Sequence, residues 1–356
     1  MISFFHFLTK KLRLSNPWRY KVPLILSFCY FLLLAGNVDA KTSALHFFAA
    51  IATTIGFMGF GYLINDLSDR KKDHLAGKGN GTANLSNGWI AFLIIMFSMI
   101  AILPWQYLPN DRVSGICLAI EFALFLLYSL PPFRLKERGI LGVVTDALYA
   151  HVMPAFLASW TFFLVGNKTY DDFSYFLITL SVWQFISGVR NIVSHQYKDY
   201  ENDVSSKTKT LATKIGKDRT YGVMKNVLVP MEIFSLLPFL WMAQYKIDLL
   251  FVAIIVFGLT AFSNFRKGHS ETPLKHFTNC FLDRFYLSWF PYIVIFSIVL
   301  RNNEFWWLLV FHFLLFNSFS VIKGWFPSKE TDRDTVKRRI AILTTNRHKY
   351  LSLIHI

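Results

Sequence analysis

Two groups of polar residues recur at four-residue intervals in this sequence. The first group is Asn65, Asp69 and Asp73, and the second is Asn191, His195, Asp199 and Asp203. Residues four apart share one face of a helix, so each group predicts a stripe of metal-binding side chains. Mg²⁺ prefers oxygen ligands and is usually held by few carboxylates together with substrate phosphate oxygens. The two stripes therefore predict a pair of Mg²⁺ ions around a diphosphate.

A cationic turn lies between the two stripes, in YSLPPFRLKERG at 128–139. Pro131 and Pro132 cannot continue a helix, so they predict an extended turn there. Cations near a diphosphate stabilise the negative charge that builds on the departing oxygens when an allylic diphosphate ionises. The candidates for this role are Arg134, Lys136, Arg138, Arg190, Lys198 and Lys72. The general excess of Lys and Arg in cytoplasmic loops explains each of these cations equally well.

Aromatic side chains are abundant enough to line a site for a carbocation. The chain has 37 Phe, 15 Tyr and 10 Trp, and aromatic faces attract cations. Most of these rings pack helices or face lipid, but Tyr128 and Tyr197 adjoin the cationic turn and the second stripe. We expect both near the site, with Tyr128 among the catalytic residues.

The elements that position these residues are predicted to be membrane-spanning helices. Of the 356 residues 54% are hydrophobic and 17% charged, and the mean hydropathy is +0.38, which excludes an ordinary soluble domain. The apolar residues form blocks of roughly 20, enough to cross the hydrocarbon layer as helices. Ten spans are predicted, near 22–38, 44–64, 88–108, 113–131, 140–165, 173–194, 220–243, 247–264, 282–300 and 305–322.

The charges orient these spans. Thirty Lys and Arg residues fall in alternate connections and the two terminal segments, whereas the other connections hold five. Cytoplasmic loops collect Lys and Arg, so we place both stripes and both termini in the cytoplasm. The organisation predicted is a basic cytoplasmic segment at 1–21, one membrane domain at 22–322 and a polar cytoplasmic tail at 323–356. The net charge of +15 follows from this topology, and we expect no nucleic-acid partner.

These motifs resemble the UbiA superfamily of intramembrane prenyltransferases. That family carries NxxxDxxxD after its second helix and DxxxD after its sixth, matching Asn65, Asp69 and Asp73 and then Asp199 and Asp203. The segments YSLPPFRLKERG and KTLATKIG (209–216) resemble family segments at corresponding places. The similarity covers roughly residues 20–300 in matching order.

The resemblance implies an all-α transmembrane bundle around a central cavity that opens sideways to lipid. It also implies Mg²⁺, a prenyl diphosphate lipid donor and a small-molecule acceptor. By the same likeness the five motif residues hold the metal and the diphosphate, with Asp69, Asp73, Asp199 and Asp203 as metal ligands, and Arg134 and Lys136 contact phosphate. We also place Arg190, Asn191, His195 and Lys198 among the substrate-binding residues.

Several departures from the family pattern leave the acceptor open. Family members commonly have nine spans, whereas ten are predicted here, and the loop GKGNGTANLSNG lacks the Arg-Pro pair that many members have after the first motif. His195 and Gln196 do not match the ubiquinone-pathway enzymes. An aromatic ring is the favoured acceptor, and a phosphorylated polyol or sugar is the alternative. His195 is interpreted either as a proton acceptor in the cavity or as a packing or Asp-paired histidine.

Two readings from other classes remain. A transporter would place acidic residues inside spans, where Asp146 and Glu121 occur, although the stripes lie at helix ends and Asp146 is close enough in sequence to pair with Arg138 or Lys136. A lipid-binding scaffold would need no aspartates in the motifs, but all are intact. We favour a bacterial inner-membrane enzyme, with an organellar membrane as the alternative.

Overall fold

The computed structural model describes residues 15–316 apart from residues 37, 76, 78 and 268–271. Ten long helices run through this part of the chain, and no β-strand occurs among the described residues. They are α1 Val22–Ala35, α2 Ala40–Leu75, α3 Asn87–Ile102, α4 Arg112–Ser129, α5 Ile140–Val165, α6 Phe173–Lys198, α7 Lys217–Gln244, α8 Leu250–Lys267, α9 Pro273–Arg301 and α10 Trp306–Leu315.

Each of these helices coincides with one predicted span, so the prediction of an all-α transmembrane bundle is confirmed. Seven are long and apolar enough to cross a membrane, namely α2 to α7 and α9, and the other three are shorter apolar helices. Large apolar side chains such as Phe234, Leu259 and Leu300 are exposed on their outer faces. The end of the predicted tenth span, the predicted tail at 323–356 and most of the predicted basic segment lie outside the described residues.

Three of the long helices contain a π-helical turn shortly before a proline. The turns span Leu148–Val152, Met224–Leu228 and Phe285–Trp289, and Pro154, Pro230 and Pro291 follow them closely. Proline has no N–H to donate to the carbonyl four residues earlier, and widening the preceding turn accommodates this break. In α5 the wide turn carries Tyr149 and His151 toward the site described below.

Apolar packing fixes the positions of the helices that carry the two stripes. Gly56 on α2 lies so close to α3 that an added Cβ would stand 2.2 Å from the backbone nitrogen of Ala101. Trp183 on α6 packs against Phe239 on α7, with ring centroids 4.8 Å apart. Because close-packed interiors resist small displacements, α2 and α6 hold their polar ends in defined places.

Candidate active site

Three connections that the sequence predicts on one side of the membrane meet at one end of the bundle. The α4–α5 connection reaches α2 through a hydrogen bond from Lys136 Nζ to Asp69 Oδ2, 2.7 Å long. It also reaches the α6–α7 connection, where Gly139 donates its backbone N–H to the Lys209 carbonyl. The cationic turn therefore lies between the two regions that carry the stripes, close to both as predicted.

The first stripe is bound directly by this turn. Lys136 Nζ donates to Asn65 Oδ1 at 2.9 Å and to Asp69 Oδ2 at 2.7 Å. Arg134 Nη2 donates to Asp69 Oδ1 at 2.7 Å, and its Nη1 donates to the carbonyl of Ser68. Four of the predicted site residues, from segments some seventy positions apart in sequence, therefore form one charged cluster.

The backbone of the turn presents these two cations. Helix α4 ends at Ser129, Leu130 is extended, and the Pro131–Pro132 bond is cis, so the predicted extended turn is confirmed. Arg134 has a left-handed backbone with φ 39°. Glu137 accepts from Arg134 Nε and from Lys72 Nζ, each at 2.6 Å.

Burial and neighbouring charges shift the pKa values of Glu137 and Lys136 in this turn. Burial raises the pKa of Glu137, but the hydrogen bonds from Lys72 and Arg134 outweigh it and hold this pKa below its usual range. Burial lowers the pKa of Lys136, while Asp69 opposes that change. Lys136 is thus a partly desolvated cation with a carboxylate partner.

Asp73 and its neighbour Asp66 hold the connection that follows α2. Asn80 Nδ2 donates to Asp73 Oδ2 at 2.7 Å and to the Asp66 carbonyl at 2.8 Å. Asp66, which is not part of the stripe, is buried and accepts the backbone N–H of Gly81. The third residue of the first stripe is therefore attached to a loop, whereas Asp69 is attached to the cationic turn.

The second stripe continues beyond the end of α6. Asp199 terminates that helix, and Asp203 lies on a short helix at Tyr200–Ser205. Backbone hydrogen bonds from Asp199 to His195 and from Asp203 to Asp199 keep the four-residue repeat across the junction. Asp199 is exposed and Asp203 is buried. Within the described residues, no three His, Cys, Asp or Glu side chains are grouped closely enough to hold a metal ion by themselves.

Two predicted substrate-binding residues belong to a separate small pocket. Arg190 is buried and bonded to Glu232 on α7 and to Asp283 on α9. Arg190 and the exposed Lys198 line a polar pocket of about 100 Å³, as does Tyr197. Of the residues predicted from the second stripe, only Asn191 lines both this pocket and the larger cavity next to it.

The larger cavity, of about 340 Å³, extends inward from the first stripe. Its walls are mostly apolar, and the predicted site residues Asn65, Tyr128, Asn191 and His195 contribute to its lining. Asn191 Nδ2 is hydrogen-bonded to His151 Nε2 at 3.2 Å. The central cavity that the fold class predicts is therefore present and joined to both stripes.

The pairing suggested for Asp146 is wrong. Asp146 Oδ2 accepts the hydroxyl of Tyr149 at 2.7 Å, whereas Lys136 is engaged with the first stripe and Arg138 donates to the Pro132 carbonyl. The wide turn of α5 brings Tyr149 beside Tyr128, with ring centroids 5.0 Å apart. Asp146 and Tyr149 both line the cavity.

Lys21 was not predicted as a site residue, but it lines the cavity and lies within the electrostatic reach of Asp146 and Glu121. In the sequence Lys21 is only the last residue of the predicted basic segment at 1–21. Its position immediately before a helix that begins Val22–Pro23 was the available signal, because the residue at a helix start is fixed by the packing of that helix.

Comparisons with known proteins agree with this architecture. The model of the UbiA prenyltransferase family matches residues 24–289. This is most of the chain, and the protein belongs to the UbiA prenyltransferase family. No curated protein matches the sequence significantly.

Solved structures of a UbiA homolog from Archaeoglobus fulgidus share the fold. The form bound to DMAPP and Mg²⁺ has a TM-score of 0.51 at 16% identity, and the form bound to GPP and Mg²⁺ has 0.51 at 17%. A form bound to Cd²⁺ reaches 0.54 at 17% identity. Each alignment covers 80% of this chain and 99% of the other.

Proposed function

We propose that this chain transfers a prenyl group from a prenyl diphosphate to a small-molecule acceptor in a Mg²⁺-dependent reaction. One observation carries the proposal: Asn65, Asp69, Arg134 and Lys136 form a charged cluster at the end of a mostly apolar cavity. A prenyl diphosphate has a strongly charged head on an apolar chain, so it matches a site with this division.

The oxygen-only donor set fits Mg²⁺. Asp69 and Asp73 from the first stripe and Asp199 and Asp203 from the second would hold it, in agreement with the preference of Mg²⁺ for a few carboxylates supplemented by phosphate oxygens. The absence of three grouped ligands within the described residues is consistent with a metal that binds together with its substrate. When bound, the metal neutralises negative charge on the diphosphate.

Arg134 and Lys136 supply the other part of the diphosphate site. Both now bind Asp69, so a diphosphate that enters beside Asp69 lies within reach of the same two donors. Their charges favour departure of the diphosphate because they are already oriented before negative charge develops. We assign Asn65 to the same substrate contact, since it shares Lys136 with Asp69.

The aromatic wall beside the cluster suits the cationic carbon that remains. Tyr128, Tyr149 and Phe125 line the cavity next to the first stripe, and their rings pack together with centroids 4.5 and 5.0 Å apart. Aromatic faces attract cations most strongly where water is excluded. We assign Tyr128 to this role and Asn191 and His195 to substrate binding in the same cavity.

The acceptor we favour is an aromatic ring, with a phosphorylated polyol or sugar as the alternative. The solved relatives bound to DMAPP or GPP with Mg²⁺ support the donor class. We assign the protein to a bacterial inner membrane, and the charge asymmetry of the loops supports an orientation with both stripes in the cytoplasm.

The proposal is tested with purified protein in lipid nanodiscs. Labelled DMAPP and geranyl diphosphate are supplied with Mg²⁺ and a panel of aromatic and phosphorylated acceptors, and diphosphate release is followed. Release that requires one acceptor and yields its prenylated product supports prenyl transfer. Absence of binding by every prenyl diphosphate would contradict the proposal.

Removal of divalent metal should stop the reaction reversibly. Without a metal to neutralise it, the diphosphate faces the aspartates of both stripes, and donor binding and turnover should both fall below detection. Diphosphate release is measured in excess EDTA and again after Mg²⁺ is restored in excess. Full activity in EDTA would exclude the metal-dependent mechanism.

Donor affinity should decline at high pH, and Lys136→Arg should abolish that decline. The charged form of Lys136 binds the diphosphate, and burial lowers its pKa from the ordinary value of 10.5. The favourable charge is therefore complete well below this pKa and is lost as pH rises through it, whereas arginine stays protonated throughout.

The measurement is the Kd of geranyl diphosphate with Mg²⁺ between about pH 7 and pH 10. Lys217→Arg is the matched control, because Lys217 is an exposed lysine paired with Glu201 outside the cavity. It should keep the wild-type decline. An unchanged pH profile in Lys136→Arg would assign the decline to another group.

A further inference from the structure

The inner half of the cavity contains three buried polar atoms that have no hydrogen-bond partner. They are Thr53 Oγ1 on α2, Trp105 Nε1 in the turn after α3, and Glu121 Oε2 on α4. The exposed fractions of these residues are 5%, 7% and 2%, and all three line the same cavity. Buried polar groups are normally bonded, so three orphaned atoms around one cavity indicate a missing partner.

These atoms lie far from the charged cluster. At 1.5 Å per residue, Thr53 is roughly 18 Å from Asn65 along α2, and Glu121 is roughly 12 Å from Ser129 along α4. Trp105 follows the end of α3 that is remote from the loop bound to the first stripe. The inner polar atoms are therefore separate from the proposed diphosphate site.

Glu121 is the most demanding of the three. A carboxyl group within a membrane span is costly and is a functional-site candidate by default. Lys21 lines the same cavity and its charge acts on Glu121, but no hydrogen bond or ion pair joins these two described side chains. Apolar side chains such as Phe57, Leu108 and Leu157 line the same cavity and pack in one cluster with Trp105.

The hydrogen-bonding capacities of these three groups indicate which kind of ligand would fit between them. Glu121 Oε2 offers an acceptor, Trp105 Nε1 can only donate, and the Thr53 hydroxyl can do both. An apolar prenyl tail would leave all three unsatisfied, and a carboxylate or phosphate would bring its own charge into a cavity whose lining is mostly apolar. A hydroxyl group satisfies both kinds of partner at once.

We propose that the inner end of the cavity is a hydrogen-bonding subsite for a hydroxyl-bearing acceptor, and that Glu121 determines acceptor specificity. This inference rests on the proposed prenyl transfer. It favours an uncharged phenol or alcohol, whose hydroxyl bonds to Glu121, over a phosphorylated polyol or sugar.

The test measures binding of two matched probes to the full chain in nanodiscs. Labelled hydroquinone has two O–H donors, and labelled 1,4-dimethoxybenzene has the same ring without them. Binding is measured by anaerobic equilibrium dialysis with nanodiscs that contain the protein and with empty nanodiscs. The difference between the two corrects for partition of the probe into lipid. Wild type should bind hydroquinone saturably and prefer it by about tenfold or more, as expected for loss of a buried hydrogen bond.

Glu121→Leu should reverse this preference, because it replaces the carboxyl group with an apolar side chain. If Glu121→Leu fails to fold, two other variants serve the same test. Glu121→Gln is nearly isosteric, and Trp105→Phe removes the indole N–H but keeps an aromatic side chain. Each should weaken hydroquinone binding. Gln184→Leu is the control: Gln184 is also buried with an unpartnered Nε2 in a span, but it does not line the cavity. It should bind both probes as wild type does.

Three results would overturn the subsite: equal hydroquinone affinity in wild type and Glu121→Leu, equal affinity of wild type for both probes, or no hydroquinone beyond the lipid background. The last result would mean that water alone satisfies these atoms. A separate dialysis with geranyl diphosphate and Mg²⁺ distinguishes the two proposals. No binding of geranyl diphosphate by wild type would contradict the proposed prenyl donor, whereas the hydroquinone measurement tests the subsite independently.

Discussion

Replacing Asp69 by Asn should reduce Mg²⁺-dependent diphosphate release by about 100-fold or more, the usual scale for losing one preorganised charged group from an active site. Asp69 is the residue on which the site converges, since Arg134 and Lys136 both bind its carboxylate. Asn keeps the shape and one acceptor oxygen but removes the charge. Turnover and Kd for geranyl diphosphate are both measured in nanodiscs.

Asp248→Asn provides the matched control. Asp248 is also ion-paired, with Arg301 at 3.0 Å, but it is exposed and does not line the cavity. Its variant should turn over at the wild-type rate. Thermal unfolding of both variants separates loss of chemistry from loss of fold. Wild-type turnover in Asp69→Asn would refute the assignment of the first stripe to the metal and the diphosphate.

Replacing Glu232 by Leu should destabilise the bundle by about 3–5 kcal/mol, because it leaves a buried guanidinium without its main partner. Glu232 on α7 is fully buried and bonded to Arg190 on α6, which also reaches Asp283 on α9 at 3.1 Å. The network therefore ties together three helices. The measurement is the free energy of unfolding, or the temperature of unfolding, in one lipid mixture.

The double variant Arg190→Leu with Glu232→Leu makes this prediction specific. It removes both buried charges and should recover much of the stability, since an apolar pair of similar volume often replaces a buried ion pair at little cost. Asp283 then remains, but its side chain is 37% exposed and stays hydrated. Glu201→Gln at an exposed pair should leave stability unchanged. A double variant as unstable as Glu232→Leu would show that packing, rather than the unpaired charge, limits stability.

Much of the fold could be predicted because its signals are local. Apolar runs of span length give helices irrespective of their neighbours, since backbone groups in lipid must be satisfied within the segment. All ten described long helices coincide with predicted spans. The Pro131–Pro132 turn was equally local. The π turns before Pro154, Pro230 and Pro291 were not predicted, because a proline in a helix can also be accommodated by a kink.

The candidate site was likewise predictable where its signals are local and not predictable where distant segments meet. The four-residue repeat placed Asn65, Asp69 and Asp73 on one face, and the proximity of Lys136 to them followed from helix order. The ion-pair partner of Arg190 did not follow, since Glu232 and Asp283 are distant in sequence and no periodicity links them to α6. Asp146 was paired with the wrong residues because sequence proximity suggested a cation, whereas the wide turn of α5 supplied Tyr149.

The sequence by itself determined the helices, their apolar faces and the two polar stripes, since these depend on residue spacing along a single element. Only the tertiary structure decided which acid meets which cation, which polar atoms stay without partners and where a cavity remains. These properties arise where side chains from several helices converge, and they depend on the packing of those helices. Glu121 illustrates the difference. The sequence shows a carboxyl group within a predicted span, whereas the packing of the bundle places that group at the inner end of a cavity lined by two other polar atoms without partners.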